Sequence, residues 1–102
     1  MIFKIKRYTI VDGNIDTVLS AITEFLDGIR RYESEIQYDA YRIRGTNSFI
    51  HFVGFPNETA EQTHNNATHT RRFYGIISPL CTEPPEVIPV EKIEGMFGGE
   101  YE

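Results

Sequence analysis

Residues 64–75, HNNATHTRRFYG, concentrate more proton-transfer and anion-binding chemistry than any other part of the chain. They hold two of its three histidines, two arginines and a tyrosine, and apolar segments flank them on both sides. Imidazole titrates near neutral pH, so a histidine beside a tyrosine can serve as a general base or as a proton donor. We therefore expect this segment to form one wall of a functional site.

The spacing of His64 and His69 argues against a metal site. On a continuous helix, residues five apart are separated by about 500°, or about 140° around the axis, and their side chains do not meet. A break at Asn65 and Asn66 would bring them back together, but no nearby cysteine or matched carboxylate completes a ligand set. We predict that no metal binds here.

The helical pattern turns both histidines inward. His69 lies four residues before Phe73 on the apolar stripe that should face the sheet, and His64 shares a side with Ala60 and Ala67. Two interpretations stay open. Each histidine is either a buried residue hydrogen-bonded to the backbone, or part of a closed cavity in which it exchanges protons beside Tyr74.

Four further residues lie in this segment or are expected near it. His51 is in phase with apolar neighbours on its strand, so it belongs either to the core or to the pocket wall. Arg71 and Arg72 are expected on a solvated helix face, or paired with acidic groups of a partner subunit. Tyr38 is expected to pack with its hydroxyl at the rim of the site.

The elements that must position these residues follow from periodicity and turn residues. Residues 2–11, 36–44, 48–55 and 86–93 are strand-like, with Gly45-Thr46-Asn47 forming a hairpin between the second and third strands. From Ile15 the apolar residues recur at helical spacing, with Asn14 or Asp16 available as the cap. A second helical region starts at Thr59, where Thr59 and Gln62 match a capping box. Pro89 predicts an edge strand or a bulge.

The order βαββαβ predicts an α+β, ferredoxin-like domain over residues 1–94, with two helices on one face of an antiparallel sheet. The third strand carries apolar residues at both parities, Phe49 and Val53 on one and Ile50 and Phe52 on the other. A sheet with one solvated face would alternate more cleanly. We therefore predict a homodimer that packs sheet against sheet. Residues 95–102 are expected to be a flexible tail or an arm laid on the partner.

Composition excludes several classes of function. A net charge of −5 repels nucleic acid and anionic lipid, so neither is expected as a partner. The single cysteine, Cys81, forms no internal disulfide, which fits a cytoplasmic protein. Residues 1–11 lack the apolar core of a signal peptide, so we expect neither a signal peptide nor a membrane-spanning segment, and no nucleotide-binding or serine-hydrolase motif occurs in the sequence.

SEIQYDAYRIR and FIHFVGFPNETAEQTHNNATHTRRFYGIISPL together resemble the antibiotic biosynthesis monooxygenase domain of the dimeric α/β-barrel group. The resemblance covers residues 2–94. It consists of a tyrosine in the second strand, an aromatic residue that ends the third, and a helical pattern of alanine, histidine, small residue, histidine and phenylalanine. The matching residues are Tyr38, Phe55, Ala60, His64, Ala67, His69 and Phe73.

The resemblance implies a dimer joined through the sheets, with a pocket in each subunit between sheet and helices. Some members of the family oxygenate electron-rich aromatic polyketides or quinols without metal or flavin, whereas others degrade haem. Two departures matter. Gly54 stands where a glutamate is usual, and the positions that match the haem-degrading set of asparagine, tryptophan and histidine are about Lys6, His64 and Tyr74. Because the chain has no tryptophan, haem degradation is disfavoured.

The resulting prediction is a monooxygenase-like enzyme without a cofactor that acts on a small aromatic or quinone-like substrate. His64 would be the base and Tyr74 would orient the substrate oxygen. The expected pocket residues are Lys6, Tyr38, His51, Phe55, His69 and Phe73. The alternative is a non-catalytic or stress-related protein that uses the same pocket to bind a small apolar ligand. A related isomerase would need the same base.

Overall fold

The computed structural model describes residues 1–95 and confirms the βαββαβ order, with the second helical region divided in two. Gly95 is thus the only described residue of the predicted tail, and the rest lies outside the described residues. None of the described helices has both the length and the apolar character needed to cross a membrane. The elements are β1 (Ile2–Thr9), α1 (Ile15–Tyr32), β2 (Gln37–Arg42), β3 (Ser48–Phe55), α2 (Glu58–Asn66), α3 (Thr68–Ile77), a 3-10 turn (Ser78–Leu80) and β4 (Glu86–Val90).

The four strands form one antiparallel sheet in the order β2-β3-β1-β4. β1 and β3 occupy its centre, and their register places Lys6 opposite His51. Strand β4 pairs only with β1 and is an edge strand, so the missing amide hydrogen of Pro89 costs little there. The edge position predicted from Pro89 is confirmed.

The helices pack on one face of the sheet, and the core lies between the two layers. Phe25 of α1 and Phe73 of α3 are both almost fully buried, and their rings stack with centroids 4.4 Å apart. This stack joins the two helices above the central strands. The core therefore also contacts the polar side chains of β1 and β3 that point toward the helices.

The opposite face of the sheet is also apolar, as its strand pattern predicted. The rings of Phe3 and Phe52 stack there at 5.6 Å, beside the half-buried Ile50 and Ile88. This surface, which we call the outer sheet face, lies on the side away from the helices. Apolar area of this kind is typical of a surface that binds another protein.

Two details of helix capping differ from the sequence prediction. Helix α2 begins one residue before Thr59, and Asn57 is its cap, with the Asn57 side chain accepting a hydrogen bond from the Ala60 amide at 2.9 Å. The capping box at Thr59 and Gln62 is wrong, because Asn57 meets the same need two residues earlier. Asn14 precedes α1 as predicted, but its side chain donates to two carbonyl groups of the preceding turn instead of accepting from the helix.

The break in the second helical region falls at Ala67. This residue has extended backbone angles, φ −67° and ψ 145°, and it ends α2 and precedes α3. The two helices are therefore not coaxial continuations of one another, and the angle computed for a continuous helix does not apply to the side chains on either side of Ala67.

Candidate functional site

Glu33 lies at the centre of the most polar buried cluster among the described residues. It follows the last residue of α1, and only 2% of it is exposed. The Nδ1 atom of His64 lies 3.1 Å from each of its carboxylate oxygens, and the Nε2 atom of His69 contacts one of them. Since an ionised carboxylate only accepts hydrogen bonds, both imidazoles donate to Glu33. We call Glu33, His64 and His69 the Glu-His-His cluster.

The break at Ala67 and a glycine in α1 allow this cluster to form. His64 comes from the end of α2 and His69 from the start of α3, so the turn between them lets their rings converge at 6.5 Å. Gly28 provides the room for His69, because a Cβ atom at position 28 would lie 2.7 Å from the His69 Cβ. Tyr32 covers the His69 ring at 6.1 Å in a nearly parallel stack.

Lys6 extends the cluster toward the sheet. Its Nζ lies 3.5 Å from His64 Nε2, the nitrogen that does not face Glu33. The lysine is 5% exposed, and burial, aided by nearby Lys4, lowers its pKa to about 8. Burial and the lysine charge likewise lower the pKa of His64 to about 4, despite the opposing effect of Glu33. These residues therefore form a row, Glu33, His64 and Lys6. The carboxylate accepts a hydrogen bond from His64 Nδ1, and the lysine ammonium faces His64 Nε2 as a donor.

Two tyrosine rings surround the lysine ammonium. Lys6 Nζ is 5.3 Å from the ring centroid of Tyr74 and 5.8 Å from that of Tyr38. Cation–π contact of this kind stabilises a desolvated ammonium. Tyr74 and Tyr38 are half-buried, and burial raises the pKa of both hydroxyls well above the usual value. Both hydroxyls therefore stay protonated at physiological pH.

His51 belongs to a separate hydrogen-bonded group on the same face. Its two ring nitrogens lie 2.8 Å from the hydroxyls of Tyr8 and Tyr38, and the residue is fully buried. Burial lowers its pKa to about 3, with a smaller effect from Lys6. A neutral imidazole donates through one nitrogen and accepts through the other, so the two tyrosines satisfy it completely.

The structure brings most of the predicted site residues together. Phe55 packs on His64 at 5.4 Å, and Phe73 packs on His51 at 5.6 Å, so both line the same interior region. His69 is the exception: it is 13% exposed at the side chain and packs against α1 instead of the sheet. His69 follows the break at Ala67, so the direction of its side chain is set by α3 and does not continue the periodicity of α2.

Arg71 and Arg72 are exposed, as expected for a solvated face. Arg72 pairs with Glu24 of α1 within the same chain, and Arg71 donates to Asn66 at 3.3 Å.

Two surface grooves lead toward the cluster. The larger, about 510 Å³, runs between α1 and the start of α3, and both Tyr32 and His69 line it. The smaller, about 250 Å³, lies between α1 and β2, and both Glu33 and Tyr38 line it. The Glu-His-His cluster thus separates two openings, one reaching His69 and the other Glu33.

Glu33 is the functional candidate that sequence reasoning missed. The argument against a metal site assumed that no matched carboxylate lies near the histidines, and that assumption is wrong. One signal was available: a negative charge at the C-terminal end of a helix is unfavourable with respect to the helix dipole, so an acidic residue there calls for a compensating partner. The partner residues are more than 30 positions away in sequence.

Similar solved structures share the fold. An antibiotic biosynthesis monooxygenase is 21% identical over 92% of this chain and 100% of its own, with a TM-score of 0.83. A candidate antibiotic biosynthesis monooxygenase from Nitrosomonas europaea is 12% identical over the same shares, with a TM-score of 0.82. A Nitrosomonas europaea protein of unknown function is 20% identical over 92% of this chain and 90% of its own, with a TM-score of 0.77.

No family model matches the sequence, and no curated protein matches it as a relative. The structural likeness nevertheless extends over nearly the whole chain in each case. The chain therefore has the ferredoxin-like fold of the antibiotic biosynthesis monooxygenases, as the sequence resemblance implied.

Proposed function

We propose that the protein is a small monooxygenase-like enzyme that acts on an aromatic or quinone-like substrate without a bound cofactor. The observation that carries this proposal is the row Glu33, His64 and Lys6. A carboxylate holds Nδ1 of the imidazole, and the other nitrogen points at a buried ammonium. Such a row can remove a proton from a hydroxyl or an activated carbon and hold the resulting oxyanion.

Each residue has a distinct role in that chemistry. His64 Nε2 accepts the substrate proton, and Glu33 stabilises the imidazolium that forms. The Lys6 ammonium pairs with the substrate oxyanion. Because the lysine charge lowers the pKa of His64, neutralising that charge with the oxyanion also makes His64 a stronger base. Tyr74, whose ring lies over the same ammonium, orients the substrate oxygen.

The electrons for oxygen activation come from the substrate in this scheme. A deprotonated quinol or anthrone-type carbon is electron-rich and can reduce O₂ directly. With an anthrone-type substrate, one oxygen atom enters the product as a carbonyl group, and the other leaves as water with the two hydrogens of the oxidised CH₂ carbon. With a quinol, one oxygen atom enters the ring as the hydroxyl of a hydroxyquinone, and the other leaves as water with two hydrogens of the quinol. The protein contributes the base, the oxyanion partner and a site from which water is excluded.

Substrate access is through the smaller groove, since Glu33 and Tyr38 line it and both touch the interior group. The groove's volume of about 250 Å³ lies just below the usual range for small-molecule sites, which favours a small substrate. We further propose that the active unit is a homodimer formed by the outer sheet faces, and that it works in the cytoplasm, where Cys81 stays reduced.

One observation favours the rival function, a protein that binds an apolar ligand without converting it. His64 is fully buried, His51 is already satisfied by two tyrosines, and neither His64 nor Tyr74 lines either groove. In that case the polar row would be structural, and a ligand in a groove would not reach it.

Oxygen uptake with a panel of quinols and anthrone-type compounds, in chelator-treated buffer, separates the two functions. We expect turnover by the parent protein and a loss of at least about 100-fold in His64→Gln, since general-base catalysis contributes that much. Asn65→Gln, an exposed change on the same helix, should keep full activity. Saturable binding of these compounds without oxygen uptake by the parent would establish the rival function.

A further inference from the structure

The Glu-His-His cluster has the composition of a metal site. It offers two imidazole nitrogens and one carboxylate oxygen, and these three ligand atoms all lie within 4.8 Å of one another. Two histidines with one carboxylate suit first-row divalent ions such as Zn²⁺, Co²⁺ and Fe²⁺, whose bonds to these atoms are about 2.0–2.2 Å long. Neighbouring donors in a tetrahedral site are then about 3.3–3.6 Å apart. The three ligand atoms of the cluster, all within 4.8 Å of one another, are close to this spacing.

We propose that Glu33, His64 and His69 bind one divalent transition-metal ion. The ion would take Nδ1 of His64, Nε2 of His69 and one oxygen of Glu33, which are the atoms that already face each other. At least one further position would remain for water or a ligand.

Charge supports the assignment. Glu33 is 2% exposed, and the hydrogen bonds that His64 and His69 donate to it lower the cost of its burial without cancelling its negative charge. The nearest cation, Lys6, touches only the far nitrogen of His64. A divalent ion among the three side chains would neutralise the carboxylate directly, with one positive charge to spare.

The surroundings hold the imidazoles in place. Phe25, Tyr38 and Phe55 pack on the His64 ring at 5.4 to 5.7 Å. Tyr32 stacks on His69, and Gly28 keeps the helix backbone close behind it. Lys6 and its two tyrosines lie on the far side of His64, outside the ligand set. The aromatic packing therefore restricts the rotation of both ligand rings.

The larger groove provides an entry path. Its volume is about 510 Å³, and the partly exposed His69 is part of its wall. An ion arriving from solvent would meet His69 first and then Glu33 and His64. Glu24 and Asp27 line the same groove, where they pair with Arg72 and Arg31, so no unbalanced positive charge opposes the approach of a cation.

This inference goes beyond the proposed function and does not rest on it. Metal on Nδ1 leaves the imidazole proton of His64 on Nε2, so a loaded protein could not use that nitrogen as a base. Metal binding and base catalysis by His64 are therefore alternative states of one residue. Binding is measured without turnover, whereas oxygen uptake is measured with a chelator, so either proposal can fail alone.

The test is titration of the metal-free full chain with Co²⁺, followed by calorimetry and by the visible absorption of the bound ion. We expect one Co²⁺ per chain with the intense bands of a low-symmetry, tetrahedral-like site, and competition by Zn²⁺. Glu33→Gln and His69→Gln should each weaken binding by at least about tenfold. Glu24→Gln, which removes a carboxylate from the wall of the larger groove but not from the cluster, should leave it unchanged.

His69→Gln keeps the test decisive if Glu33→Gln does not fold, because His69 is the most exposed of the three residues. A thermal melt of each variant establishes that it is folded before titration. The absence of saturable binding by the parent would overturn the proposal. So would equal affinity in the parent and in folded His69→Gln.

Discussion

Gly28 and His69 are in such close contact that no side chain larger than hydrogen fits between the two helices at this point. A Cβ atom at position 28 would lie 2.7 Å from both Cβ and Cγ of His69. These are the rigid inner atoms of the histidine, not its flexible end. The pair therefore sets how closely α1 and α3 approach, and through His69 it sets the shape of the Glu-His-His cluster.

Gly28→Ala should destabilise the protein although alanine is the better helix former. We expect the free energy of unfolding to fall by about 1–3 kcal/mol, because the new methyl group overpacks the contact. Urea denaturation measures the change. Gly75→Ala is the matched control: its Cβ would meet nothing within 4 Å, so this variant should be more stable by about 0.4–1 kcal/mol. A Gly28→Ala protein as stable as Gly75→Ala would contradict the contact.

His51 should make the protein sensitive to acid. Its pKa is about 3 in the folded state and about 6.5 when unfolded, so the unfolded chain binds the extra proton first. Stability from this residue is complete above pH 6.5 and is lost as the pH falls from 6.5 toward 3. The groups that face His51 are Lys6 and the hydroxyls of Tyr8 and Tyr38.

His51→Gln isolates this contribution, since His64 titrates in both proteins. Between pH 6 and pH 5 the parent should lose about 1 kcal/mol more stability than the variant, as one additional proton binds on unfolding. Urea unfolding at the two pH values gives the comparison. Equal losses in both proteins would show that His51 is not the acid-sensitive group.

Lys6→Met should separate the role of the ammonium from that of packing. Methionine keeps an unbranched apolar stem in the core but removes the cation beside His64. We expect a folded protein with little oxygen uptake and a melting temperature at or above that of the parent, because a buried charge is costly. Lys4→Met is the control, since Lys4 lies on the same strand and pairs with Glu61 instead. Full activity in Lys6→Met would remove the lysine from the reaction scheme.

Phe52→Glu should convert the proposed dimer to a folded monomer. Phe52 stacks on Phe3 at the outer sheet face, so a carboxylate there would be buried without a partner in the dimer but solvated in the monomer. Light scattering after gel filtration measures the mass. Leu19→Glu, an exposed change in α1 on the opposite layer, should leave the dimer intact. A monomeric parent would contradict the homodimer itself.

Local patterns predicted the fold well because the ferredoxin-like arrangement consists of elements whose signals are local. The hairpin between β2 and β3 follows from the turn at Gly45, where φ is +78°, and β3 runs from Ser48 to Phe55 as predicted. The capping box failed for an equally local reason. Asn57 and Thr59 are both good cap residues, two positions apart, and sequence alone does not decide at which of them the helix begins.

The candidate site was only partly predictable because its central residue is placed by tertiary structure. His64 was identified from its position in a helix and Lys6 from the family resemblance, and the two do meet in the interior. The contact of Glu33 with both histidines depends on where α1 ends relative to the break at Ala67, which no local pattern specifies. The break itself was hinted at by Asn65 and Asn66, but the direction of α3 after it was not.

The turn at Ala67 assigns the two histidines to different parts of the molecule. His64 belongs to α2, which packs on β3, whereas His69 belongs to α3, which packs on α1. Any force that tilts α3, such as a molecule seated in the larger groove, would move one imidazole and leave the other with the sheet. The distance between the two imidazole rings therefore depends on the position of α3 relative to the sheet. The separate proton resonances of His64 and His69 would report a change in that position in solution.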